Sequence, residues 1–140
     1  MPDVSPALRR EVRARARNRC EYCLLPVQFA PLPHEIDHVI AIKHAGHNGA
    51  DNLAWCCLAC NRYKGSDISS IDPMLSQLER LFNSRTDAWS DHFKLNGGEI
   101  ESLTGIGRAT AQLLKFNATA RVHLRLEVSK AGLLNYEGAP

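Results

Sequence analysis

Leu8, Val12 and Ala16 recur every four residues directly behind Ser5 and Pro6. A serine oxygen can cap the first free amides of a helix, and proline loses nothing at the first helical position, where its missing N–H has no partner anyway. The pattern predicts a helix from Pro6 to about Asn18 with a single apolar stripe. Pro26, Pro31 and Pro33 keep the following stretch from coiling, so it reads as loop. Across residues 35–42, Ile36, His38, Ile40 and Ile42 alternate with other positions, and the β-branched content favours a strand. A loop rich in Gly, Asn and His runs to Asp51. Residues 53–56 are short and apolar, which predicts a second, antiparallel strand ahead of a helix from near Cys57 to Gly65.

Beyond Gly65 the periodicity is weaker. Asp72 and Pro73 predict the start of a short helix through Leu81, Asn96-Gly97-Gly98 a hairpin turn, and a helix follows Gly107. A last helix spans residues 119–130, with Val122 and Leu126, and Leu124 and Val128, at i,i+4 spacing, ending near Gly132. Trp89 and Phe93, four apart, read as packing anchors rather than base-stacking platforms. Residues 103–111 look like the hairpin of a helix-hairpin-helix DNA-binding unit, in which amides at a helix start hold a phosphate. The residues ahead of Leu103, however, read as a Gly-turned strand rather than the first helix that unit requires.

A chain of 140 residues fits one domain, with a core over residues 8–65 and an extension over residues 66–140. No apolar run approaches the roughly 18–20 residues of a membrane span, and the N-terminus lacks a secretory core. A soluble, cytoplasmic protein without a membrane partner is therefore expected. The net charge of +2 announces no partner, but Arg9, Arg10, Arg13, Arg15, Arg17 and Arg19 crowd one short stretch. Such an excess suits a phosphate backbone, and equally a solvated helix face. Neighbouring motifs must decide between them.

The five cysteines are Cys20, Cys23, Cys56, Cys57 and Cys60, an odd and clustered set that fits metal ligation better than a disulfide framework. Cys20-x-x-Cys23 and Cys57-x-x-Cys60 can each curl around an ion, and together they close a tetrahedral zinc site. With four protein ligands no coordination position stays open, so that zinc is expected to be structural. Cys56, at the end of an apolar run, is assigned to the core, leaving Cys57 as the ligand.

Between and just after these pairs lie His34, Glu35, Asp37, His38, His44, His47, Asn52, Asn61 and Lys64. The segments around Cys20 and Cys23, Asp37-His38-Val39-Ile40, Asn52-Leu53, and Cys57 through Cys60-Asn61 to Lys64-Gly65 together resemble the HNH endonuclease family in its cysteine-bearing form. The resemblance implies an α+β fold around a ββα-metal core. It also implies His38 as general base, Asn52 as the middle signature residue orienting that ring, and Asp37 with Asn61 as ligands of Mg²⁺ or another divalent ion. Asn61 stands where histidine is frequent, an HNN variant. Ala41 replaces a common proline and Ala45-Gly46 a common glycine pair, differences of loop shape. The chemistry is consistent with these residue types: an imidazole takes a proton near neutral pH, and a hard cation prefers oxygen ligands.

The leading expectation is a metal-dependent endonuclease acting on DNA with little sequence preference, gripping the backbone through Arg13, Arg17, Arg62 and Lys64. His34, His44 and His47 are expected in loops or supporting contacts. The alternative is a non-catalytic zinc module that binds nucleic acid through its arginines, and a third reading is a protein-interaction zinc domain. Asp37, His38 and Asn61 favour the first, because a binder has no need of them between its cysteine pairs.

Overall fold

A computed structural model describes residues 4–133. The last residues of the expected extension lie outside that range. The first helix, α1 (Pro6–Arg15), opens as expected: the Ser5 hydroxyl accepts from the Leu8 amide at 3.1 Å. It ends where Arg17 and Asn18 turn left-handed, and the Asn18 amide reaches back to the Arg13 carbonyl. Val12 and Ala16 are fully buried, packing with Leu53 and Trp55.

The chain then forms a knuckle in which the Cys20 amide bonds the Leu25 carbonyl and the Leu24 amide returns to Cys20. Strand β1 (Glu35–His38) pairs antiparallel with β2 (Leu53–Cys56), placing His38 opposite Leu53 and Glu35 opposite Cys56. The expected strand over 35–42 thus stops at His38. Asn52 explains why: its amide oxygen accepts from the Ile40 N–H, and its amide nitrogen donates to the Ile40 and His47 carbonyls. The backbone groups that would extend the ladder are bound by a side chain instead, and a turn over residues 42–44 follows. Helix α2 (Leu58–Lys64) starts on Cys57, whose sulfur accepts from the Cys60 amide, and stops at Gly65, with φ of 51°.

The helix expected after Asp72-Pro73 is instead a hairpin of β3 (Ser69–Asp72) and β4 (Gln77–Arg80). Asp72 caps the turn between them, accepting from the Met74 amide through its side chain and from Ser76 through its carbonyl. An Asp followed by Pro serves a turn as readily as a helix start. The short helix α3 (Trp89–His92) leads into β5 (Phe93–Asn96) and β6 (Glu99–Ser102), joined at the expected Gly97-Gly98 turn. Helix α4 (Gly105–Leu113) begins two residues before Gly107, capped by the Thr104 hydroxyl, and α5 (Thr119–Lys130) ends the described fold.

Among the described residues, three antiparallel strand pairs and five α-helices make an α+β fold. One buried cluster runs through it, from Cys20, Tyr22, Cys56 and Cys60 to Phe82, Trp89, Phe93, Phe116 and Val128. Trp89 is an anchor here, its indole N–H donating to the Tyr22 carbonyl at 2.9 Å. Among the described residues, no helix is long and apolar enough to cross a membrane.

Candidate functional site

The sulfurs of Cys20, Cys23, Cys57 and Cys60 lie within 4.8 Å of one another, all buried. A zinc tetrahedron with Zn–S of about 2.3 Å has sulfur edges of about 3.8 Å, and Cys23 and Cys57 already stand 3.6 Å apart. The four therefore fit a tetrahedral ion. Backbone amides of Tyr22 and Cys23 point at Cys20 Sγ, each at 3.4 Å, donors that would support the sulfur as a thiolate ligand of an ion. Burial pushes the Cys20 and Cys60 thiols up, whereas hydrogen bonds from the other three cysteines hold Cys23 well down. An ion arriving here displaces the remaining protons. Cys56 stays outside the cluster, in the core, its thiol pushed up to about 11 by burial.

The second group of residues lies on the two faces of β1. Asp37 and His38, as strand neighbours, point opposite ways. On one face Asp37 is 3 % exposed, accepts from the Tyr22 hydroxyl at 2.7 Å, and pairs with the Lys64 ammonium at 3.2 Å. Lys64 also donates to the His38 and Val39 carbonyls, so three oxygens surround its charge. Being only 2 % exposed, Lys64 cannot grip DNA; that expectation is corrected, because its side chain ties α2 to β1. Both Asp37 oxygens are thereby engaged. Burial pushes its carboxyl above the usual range, against the pull of Lys64.

Asn61 sits one helical turn before Lys64, nearer the surface, donating to the Glu35 carboxylate at 2.6 Å. The two expected ligands of a catalytic divalent ion are thus differently placed. Asn61 and Glu35 offer oxygens at the surface, whereas Asp37 does not fit a cation site while Lys64 holds it.

On the other face, His38 Nε2 meets the Asn48 side-chain oxygen at 2.6 Å in a half-buried position. With that oxygen accepting, Nε2 carries the proton and Nδ1 keeps its lone pair. The amide at the ring belongs to Asn48, not Asn52. Asn52, buried, clamps the loop at Ile40 and His47, which corrects the expected ring-orienting contact. Asn48 carried no sequence signal beyond a turn-forming Asn-Gly pair.

The remaining histidines fall elsewhere. His34 is buried against the Leu25 carbonyl, its pKa lowered by burial, while His44 contacts the Ser66 carbonyl and His47 the Gly49 amide. Of the arginine stretch, Arg9, Arg10, Arg13 and Arg17 are exposed, as is Arg62. Arg15 instead donates to the Ala50 and Leu53 carbonyls, fixing α1 beside the strand that pairs with His38. Arg19 is buried.

The hairpin-like segment at residues 103–111 departs from a helix-hairpin-helix. A strand pair precedes α4, and the carboxylates of Asp72 and Glu79 crowd Gly105 at the helix start. Arg108 makes a two-pronged bond to Asp72, at 2.8 Å for each prong. The position where a phosphate would sit is filled by the chain's own acids.

Two antiparallel strands, a following helix and a four-cysteine metal cluster define an α+β core of the ββα-metal kind. Residues 20–67, about a third of the chain, match the family model for HNH endonuclease, and this segment carries both cysteine pairs, β1, β2 and α2. No curated protein and no solved structure matches the chain.

Proposed function

We propose that this protein is a DNA endonuclease that hydrolyses phosphodiester bonds, with His38 as general base and zinc at the four cysteines as its structural ion. The observation that carries the reading is the His38–Asn48 contact at 2.6 Å inside a segment that matches the HNH model. The Asn48 carbonyl fixes the ring so that Nδ1 can accept a proton from a water molecule. That water's oxygen forms a bond to phosphorus as the bond to the leaving sugar oxygen breaks, and the leaving oxygen takes a proton from solvent. Arg13, Arg17 and Arg62, all exposed, would hold the backbone, and contacts of that kind carry little sequence information.

A divalent ion, when bound, would neutralise charge at the phosphate. The family pattern implies Asp37 and Asn61 as its holders, which requires Lys64 to release Asp37; Asn61 and Glu35 can be reached without breaking an ion pair. A reducing, cytoplasmic setting belongs to this reading, because two cysteine pairs placed to hold a metal ion suit such a compartment better than a disulfide framework does.

The test is plasmid cleavage by zinc-loaded protein with Mg²⁺, comparing the native chain with His38→Ala after both are shown to be folded and to hold zinc. Cleavage should fall by at least about a hundredfold in the variant. If the native chain cuts no DNA form with any of several divalent metals, the endonuclease reading fails. Salt-sensitive DNA binding in that case would leave a non-catalytic zinc module.

A further inference from the structure

Among the described residues, two enclosed cations face a carboxylate. Lys64 has Asp37, and Arg85 has Glu21. Two arginines on α5, one turn apart, differ. Arg125 is 1 % exposed, and its guanidinium donates to the Gly98 carbonyl at 2.7 Å, the Phe116 carbonyl and the Asn117 side-chain oxygen, all neutral acceptors. Arg121, half-buried, donates to the Leu114 carbonyl and then turns its other nitrogen onto Cys60 Sγ at 3.0 Å, with Cys57 Sγ at 3.7 Å.

A guanidinium does not shed its proton, so burying one without an anion is strongly unfavourable. The anion here is the cysteine cluster. Four thiolates around one Zn²⁺ carry a net charge of −2, and two guanidiniums carry +2. Backbone amides soften that charge at Cys20 and Cys57, but Arg121 is the cation whose side chain reaches a sulfur of the cluster.

We propose that Arg121, with Arg125 behind it, is the counter-charge of the zinc-loaded four-cysteine centre, and that α5 docks on the nuclease core through this charge balance. The inference rests on the zinc reading of the cluster. Arg121 is a positioning residue: it strengthens metal retention from outside the ligand shell and fixes α5 to the second cysteine pair, at the start of α2.

The experiment follows zinc transfer to a chelator from zinc-loaded native protein, Arg121→Lys and Arg121→Gln, together with amide hydrogen exchange over residues 119–130. Outer-shell changes typically cost roughly 10–100-fold in metal affinity, and a loss in that range is expected for Arg121→Gln. Arg121→Lys, keeping the charge, should stay close to native. In zinc-loaded Arg121→Gln, amides of α5 should exchange faster while those of β1, β2 and α2 do not. Equal zinc retention and equal α5 protection in native and Gln forms would overturn the proposal. If the Gln form does not fold, the Lys form decides: zinc held as in the native chain supports the charge role, and zinc shed readily by it overturns that role. A native chain that holds no zinc at all would sink the zinc reading as well, a result distinct from the other two.

Discussion

Single amide side chains set the geometry around His38, and they do so in ways the sequence disclosed unevenly. Asn52 was legible because it belongs to a recognisable motif, yet its contacts, to Ile40 and His47, make it a loop clamp. Asn48, within a loop that carries no periodic pattern, is the residue at the imidazole. Nothing in a one-dimensional pattern tells which of two nearby asparagines folds back onto a ring, because the answer depends on the loop's three-dimensional path. Lys64 shows the same limit. A lysine at the end of a helix reads as solvent-facing, but two oxygens of β1 and the carbonyl of Val39, just past it, draw this one inward. For Asn48→Ala we expect kcat for plasmid cleavage to fall by up to about a hundredfold, with KM for DNA little changed, since the ring loses its orientation and the grip stays. An unchanged kcat would remove Asn48 from the site.

At the level of elements, helices and strands with strong local pattern were legible, namely α1, β2, α2 and α5. Those decided by distant contacts were not. The β3–β4 hairpin is held by Arg108, thirty-six positions away in α4, whose paired bonds to Asp72 favour the turn over a helix start. Those bonds hold the Asp72 carboxyl down at about 2, below its ordinary 3.8. A carboxylate whose pKa is depressed on folding contributes stability above its unfolded value and loses it as the pH falls through the folded one. The native chain should therefore lose its stability advantage over Asp72→Asn between about pH 4 and about pH 2. Urea midpoints for both forms, followed from neutral to acid pH, check this; a gap independent of pH would contradict it.

Across the whole molecule, the cysteine arithmetic was the most informative part of the sequence, because two short spacings determine a metal geometry almost without regard to the rest of the chain. What it did not reveal is how far the extension shares the core, since Phe82, Trp89, Phe93 and Phe116 join the same buried cluster as the cysteines. Cys57→Ala should cost the protein its bound zinc, whereas Cys56→Ala should retain one equivalent, measured by metal analysis after gel filtration; retention by the first or loss by the second would reverse the ligand assignment. The meeting of Arg121 with Cys60 also has a consequence for synthesis. The fourth sulfur leaves the ribosome long before the arginine does, by several seconds at roughly 5–20 residues per second. A nascent chain that captured its metal early would carry the excess negative charge without Arg121 until α5 emerged, so on the proposed charge balance the order of translation would divide assembly into a loading stage and a locking stage.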